Sequence, residues 1–269
     1  MTAAAGAPPA AGANKWIVAV STMMATILVI LDVTIANVAL DHMRGSLSAA
    51  VDEITWVLTS FLIANAISLP ITGWLTDLLG RKRLFIVATA AFMLTSVAAG
   101  AAPTLAFMVI ARFLQGIAGG PLVPLSQSTM METFPPHQRG IAMAIWGIGI
   151  MFAPIVGPTL GGWITDNWSW RWIFYINVPI GALAILLAQL FISESLAERP
   201  PLKRIDVLGL VLLVLGVGGL QFVLDRGQRE DWFSSPLITR VTIVAALALV
   251  LLVVHELRTR DPVVDLRVL

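Results

Sequence analysis

Residues 105–121 read Leu-Ala-Phe-Met-Val-Ile-Ala-Arg-Phe-Leu-Gln-Gly-Ile-Ala-Gly-Gly-Pro, and the arginine in the middle, Arg112, decides how the rest is read. The apolar stretch runs on to Met131, and Arg112 is its only formal charge. It is long enough to lie inside a bilayer, where a central charge costs at least about 2.5–3.5 kcal/mol and faces a water-filled cavity or a partner charge. Asp32, alone in the first apolar segment, is the candidate partner. Two opposite charges held in the membrane point to ion-coupled transport.

Working outward, the 269 residues are 58% hydrophobic and 12% charged, against roughly 25% charged in a soluble domain. One aqueous core cannot hide that much apolar surface, so the solvent is the lipid bilayer. The formal net charge of +1, with no basic cluster on a soluble domain, gives no sign of nucleic-acid binding. Cysteine is absent, which excludes disulfides and thiolate sites.

A bilayer core of about 30 Å takes roughly 20 apolar residues in a helix. That rule predicts an all-α polytopic bundle of eight spans, at 16–40, 55–75, 84–102, 105–131, 141–164, 172–192, 207–224 and 238–254. Residues 1–15, rich in Ala, Gly and Pro, read as a disordered tail. Residues 16–192 form a six-helix half, 193–206 a cytoplasmic linker, 207–254 two additional helices and 255–269 a cytoplasmic segment. The first six spans could form two three-helix units of opposite orientation.

Orientation follows the arginine and lysine bias. With a cytoplasmic N-terminus, Lys15, Arg81, Lys82, Arg83, Arg139, Arg199, Lys203, Arg204, Arg258, Arg260 and Arg267 lie inside, eleven of the seventeen. Arg44, Arg171, Arg226, Arg229 and Arg240 lie outside. Trp168, Trp170 and Trp172 then sit at the outer surface as an interfacial aromatic belt.

Span one runs outward and span four inward, so Asp32 and Arg112 both lie roughly 10 Å below the outer surface, at about 1.5 Å per residue. They meet if the helices are neighbours. Burial favours a neutral acid and a nearby arginine a charged one, so movement of the partner would switch proton binding. The alternative is a static pair that fixes helix packing.

A second constellation is Gly73, Asp77, Gly80, Arg81 and Lys82 between spans two and three. Asp77 and Arg81 share a face if the helix continues. Gly73 allows close helix approach and Gly80 a turn. Alternatively, the loop is a positive anchor. In span five Gly149, Ala153, Gly157 and Gly161 recur every four residues as a smooth stripe for a neighbouring helix, and Pro154 and Pro158 can bend it. Thr34, Asn37, Ser126, Gln127 and Ser128 either line a substrate path or bond between helices. His42, His137 and His255 lack metal-ligand spacing, and no nucleophile elbow is present, so neither a metal, a cofactor nor an enzymatic activity is expected.

These strings, in this order, resemble the major facilitator superfamily. GWLTDLLGRKRLF at 73–85 looks like its loop 2–3 signature, with Leu78 where arginine is usual. ARFLQGIAGGP at 111–121 resembles the span-four signature, and APIVGPTLGG at 153–162 the span-five antiporter signature, with Ala153 for its first glycine. LDVTIANVAL at 31–40 and WRWIFYINVPIG at 170–181 look like the fourteen-helix drug–proton antiporter branch, which inserts two helices between six-helix halves. The resemblance implies proton-coupled export of lipophilic or cationic small molecules across the inner or plasma membrane. It assigns Asp32 and Arg112 to proton coupling. It also implies a cytoplasmic gate of Gly73, Asp77, Gly80, Arg81 and Lys82, and an antiporter hinge of Gly157, Pro158, Gly161 and Gly162. The branch has a second six-helix half, and the sequence stops at DPVVDLRVL where a ninth span would begin. The expectation is an N-terminal portion that needs a missing C-terminal half to transport. The competing expectation is a non-transporting fragment or partner subunit that assembles with another chain.

Overall fold

The computed structural model describes residues 14–192 and 206–259. The expected tail up to residue 13, the linker at 193–205 and the segment 260–269 lie outside the described residues. Eight helices are long and apolar enough to cross a membrane: α1 (Lys15–Val38), α2 (Val51–Leu79), α3 (Arg81–Gly100), α4 (Leu105–Thr133), α5 (Pro136–Asn167), α6 (Trp172–Phe191), α7 (Val207–Arg226) and α8 (Pro236–Arg258). Each coincides with one of the eight expected spans. Among the described residues there is no strand. In a bilayer a helix satisfies every backbone N–H and C=O within itself, so an apolar run of this length has few other solutions.

Side chains and prolines punctuate the helices. Asn14 accepts from Trp16 N–H at the start of α1, Thr104 from Phe107 N–H at the start of α4, and Asp206 from Gly209 N–H at the start of α7. These side chains satisfy donors that a first turn leaves unpaired. The α2 helix stops at Gly80, whose φ of 81° lies in the left-handed region that a glycine enters without a Cβ clash. Pro121 marks the short break between the two segments of α4, Leu105–Gly119 and Leu122–Thr133.

The first six helices pack in a crossed pattern. The α1 helix lies against α5 and α6, and α4 lies against α2 and α3. The α3 and α6 helices touch each other, as do α1 and α4. Exchanging α1, α2 and α3 for α4, α5 and α6 leaves this pattern unchanged, as expected for two three-helix units of opposite orientation. The seams are tight because their residues are small. A Cβ on Gly116 of α4 would lie 2.8 Å from Ala64 Cβ of α2 and collide with the Phe61 carbonyl.

The last two helices form a hairpin beside α2. A π-helical turn, Val214–Gly218, interrupts α7. Gly218 meets Ile63 and Ile67 of α2 there, while Gly216 meets Leu249 of α8. At the far end of α7, the Thr59 hydroxyl donates to Asp225, and the Arg226 guanidinium lies 4.3 Å from the Trp56 ring.

The α2–α4 seam makes a measurable prediction. Gly116→Ala forces two backbones apart, so the full-length protein loses about 1–3 kcal/mol and melts at a lower temperature in detergent. Gly162→Ala, with nothing within 4 Å of its added Cβ, does not lower the melting temperature, since alanine is the better helix former. Equal melting of the two variants would refute the close seam.

Candidate functional site

Asp32 and Arg112 meet. Asp32 is 2% exposed and Arg112 0%, so both point into the bundle and away from lipid. Arg112 Nη1 donates to Asp32 Oδ2 and to Gln115 Oε1, the latter at 2.7 Å. Arg112 Nε donates to the Val57 carbonyl of α2 at 3.1 Å. The guanidinium lies 4.3 Å from the Phe61 ring centre and 5.6 Å from that of Phe174, where the electron-rich ring faces favour a cation.

The carboxylate has two further donors. Gln115 Nε2 reaches Asp32 Oδ1 at 3.0 Å and Asn177 Nδ2 reaches the same oxygen at 2.7 Å. Asn177 Nδ2 also donates to Ser96 Oγ at 2.9 Å, and Ser96 Oγ donates to the Phe174 carbonyl at 2.8 Å. Side chains from α1, α2, α3, α4 and α6 therefore enclose one ion pair. Local sequence places two of them: Arg112 and Gln115 are three apart and share a helix face. At the start of α6, Pro179 lacks the N–H that would bond the Tyr175 carbonyl, and Ile176 is a turn directly before Asn177. Such a network can hold a charge pair in low dielectric because three charge-assisted donors serve the carboxylate, while Arg112 Nη2 and Asn177 Oδ1 are buried without a hydrogen-bond partner. Among the described residues no group of acidic, histidine or cysteine side chains could hold a metal ion.

The α2–α3 loop differs from its expected geometry. The helix does not continue through Gly80, so Asp77 and Arg81 sit on different helices and the shared face is lost. Arg81 instead pairs with Glu132 at the end of α4. Lys82 donates to the Gln189 carbonyl near the end of α6 at 2.8 Å. Gly73 is exposed, and a Cβ added to it would meet nothing within 4 Å, so no close helix approach occurs there among the described residues.

The α5 stripe does what its spacing predicts. Gly149 faces Met23, Gly157 faces Thr34 and Gly161 faces Ile35, all on α1, with Ala153 buried among them. Pro154 and Pro158 lie on the exposed side and Gly162 is open. Ser126 bonds between helices, donating to the Thr22 carbonyl of α1 at 2.7 Å. Thr34 and Ser128 bond to carbonyls of their own helices, whereas Asn37 and Gln127 are exposed. Trp168 and Trp172 are exposed, as a belt requires, but Trp170 is buried and donates to Ser46 Oγ at 2.7 Å. Its indole belongs to the core because Ser46 satisfies its N–H.

Sequence reasoning left Gln115, Asn177, Ser96, Phe61 and Phe174 out of the site. Gln115, three residues from Arg112, and Asn177, a large amide inside an apolar span, carried local signals. The others became members only through contacts between distant helices.

Residues 22–257 match the Major Facilitator Superfamily. The chain is 46% identical over 258 residues to the multidrug export protein EmrB of Escherichia coli K12, covering 96% of this chain and 50% of that protein. It is 47% identical over 259 residues to EmrB of Haemophilus influenzae, covering 96% of this chain and 51% of the relative. It is 44% identical to the fatty acid resistance protein FarB of Neisseria gonorrhoeae, again over 96% and 51%. The chain thus spans about half the length of the curated relatives it matches. Among solved structures, the proton:xylose symporter XylE superposes with a TM-score of 0.61 at 16% identity, covering 91% of this chain and 54% of that one. The human organic anion transporter MFSD10 superposes with a TM-score of 0.56 at 18% identity, over 92% and 72%. With its helix order, its crossed packing and these matches, the chain is a multi-pass membrane protein that belongs to the Major Facilitator Superfamily.

Proposed function

We propose that this chain forms the N-terminal half, with two inserted helices, of a proton-driven exporter of lipophilic or cationic small molecules. The enclosed Asp32–Arg112 pair carries the proposal. A static scaffold would place an apolar pair there with similar stability, because burying two charges is costly even when they are matched. A pair that must open to take up a proton has a use for that cost. The names of the EmrB relatives, multidrug export proteins, support the same direction, and the length of the relatives supports a role for a second half in enclosing the substrate.

In this reading Asp32 carries the proton. With Arg112 in place it is a carboxylate served by three donors. Asp32 takes up the proton when α4 moves relative to α1 and draws the guanidinium away. The smooth α1–α5 seam at Gly157 and Gly161, with Pro158 and Gly162 on the open side of α5, completes the hinge by letting α1 shift. The Arg81–Glu132 pair ties the α2–α3 loop to the end of α4, and together with Gly73, Asp77, Gly80 and Lys82 it forms the cytoplasmic gate. The arginine and lysine bias supports a cytoplasmic position for this loop and the N-terminus. Substrates and protons are the ligands, and transport rather than catalysis is the activity.

Two experiments test the reading in the full-length protein reconstituted in vesicles. Asp32→Asn lowers proton-driven efflux at least tenfold, since the amide cannot exchange a proton, and undiminished efflux removes Asp32 from the mechanism. Arg81→Glu and Glu132→Arg each lower efflux, by no more than about fivefold for a partly exposed pair. The charge-swapped double variant restores it. A swap no better than either single variant would show that this pair is not the link between loop and α4.

A further inference from the structure

Asp32 is surrounded by donors, which suits a carboxylate and leaves a carboxylic acid with nowhere to place its hydroxyl. Arg112 cannot become an acceptor, because a guanidinium has none to offer. Gln115 is tied at both ends: its Nε2 serves Asp32 while its Oε1 accepts from Arg112. Turning it over would present its NH2 to the guanidinium.

Asn177 is tied at one end only. Its Nδ2 serves Asp32 Oδ1 and Ser96 Oγ, while its Oδ1 is buried and accepts no hydrogen bond. Leaving a buried acceptor unpaired costs about 1–3 kcal/mol. We infer that Asn177 is the positioning residue that serves both protonation states of Asp32, donating to the carboxylate and, after a half-turn of its amide, accepting from the protonated acid. The inference rests on the reading of Asp32 as the proton carrier.

The half-turn needs no new space, because the two orientations of a terminal amide have the same shape and its last torsion is broad and two-fold. Oδ1 would then take the place Nδ2 now holds, 2.7 Å from Asp32 and 2.9 Å from Ser96. The Ser96 hydroxyl can donate to it as readily as to the Phe174 carbonyl. The proton comes from one aqueous compartment, forms an O–H bond on Asp32, and leaves to the other when that bond breaks. Arg112 keeps its charge throughout.

Among the described residues, Arg112 is the charged group facing Asp32. The elements packed around it present the Val57 carbonyl and Phe61 from α2, Ser96 from α3, Gln115 from α4 and Asn177 from α6. Asp166 of α5 pairs with His42, and Tyr175 of α6 packs against Trp172.

Infrared difference spectra of the full-length protein in lipid, recorded across pH, test this. A carbonyl band of protonated Asp32 is identified by its loss in Asp32→Asn; if no band is lost, the proton-carrier reading itself falls. With the band assigned, Asn177→Leu is expected to move it to higher wavenumber, since the acid loses its acceptor. Asn177→Thr, whose hydroxyl can donate or accept, is expected to move it back toward the wild-type position. A band unmoved in Asn177→Leu overturns the inference. A merely structural Asn177 would lower the melting temperature and leave the band in place. Should the variants fail to fold, wild-type protein with carbon-13 at the asparagine amide carbon is expected to show an isotope-sensitive carbonyl band as Asp32 titrates. Its absence overturns the inference without any variant.

Discussion

A cation and an anion are held together in the dry centre of this bundle, and the packing of the first six helices answers to them. Removing one partner from a buried pair costs about 3–5 kcal/mol, because the other is left uncompensated. Compensation here is shared. Arg112 is met by a carboxylate, an amide, a backbone carbonyl and two aromatic faces. Asp32 is met by the guanidinium and two amides. No single helix could supply these groups, so α1, α2, α4 and α6 converge, and Ser96 of α3 holds Asn177.

That convergence needs close approach, which the small residues provide. The α2–α4 seam runs through Gly116 and Gly120, and the α1–α5 seam through Gly149, Gly157 and Gly161. The two seams are counterparts in the crossed packing pattern. The α1 and α4 helices each carry one buried charge, Asp32 and Arg112, and run in opposite directions, which brings both charges to one level. Ser68 donates across the α2–α4 seam to the Ile117 carbonyl at 2.7 Å, Ser126 from α4 to the Thr22 carbonyl of α1 at 2.7 Å, and Ser21 from α1 to the Ala184 carbonyl of α6 at 2.9 Å, so directed bonds as well as contact join these helices.

The same features give the proposed transport cycle its parts. A smooth seam can shift without unpacking, while an enclosed charge pair favours two discrete arrangements over a continuum. The α7–α8 hairpin is fastened to α2 at two levels, by the π-helical turn and by the Thr59–Asp225 and Arg226–Trp56 contacts. It is placed to move with the α2 side of the bundle.

The eight helices were legible in the sequence because an apolar run of membrane length has to satisfy its own backbone. Asp32 and Arg112 were legible for a related reason: a charge is so costly in such a run that its presence is a signal. The α5 stripe could be read from its four-residue spacing. Gln115 carried a local signal in its three-residue spacing from Arg112. Other parts were decided between helices. The Arg81 partner is Glu132 rather than Asp77, because a left-handed glycine breaks the helix between the nearer pair. Trp170 turned inward while its neighbours stayed out, because Ser46 is there to accept its N–H. Asn177, Ser96, Phe61 and Phe174 joined the charge pair from three other helices. Helical periodicity determines which residues share a face, but only the packing of helices distant in sequence determines which faces meet.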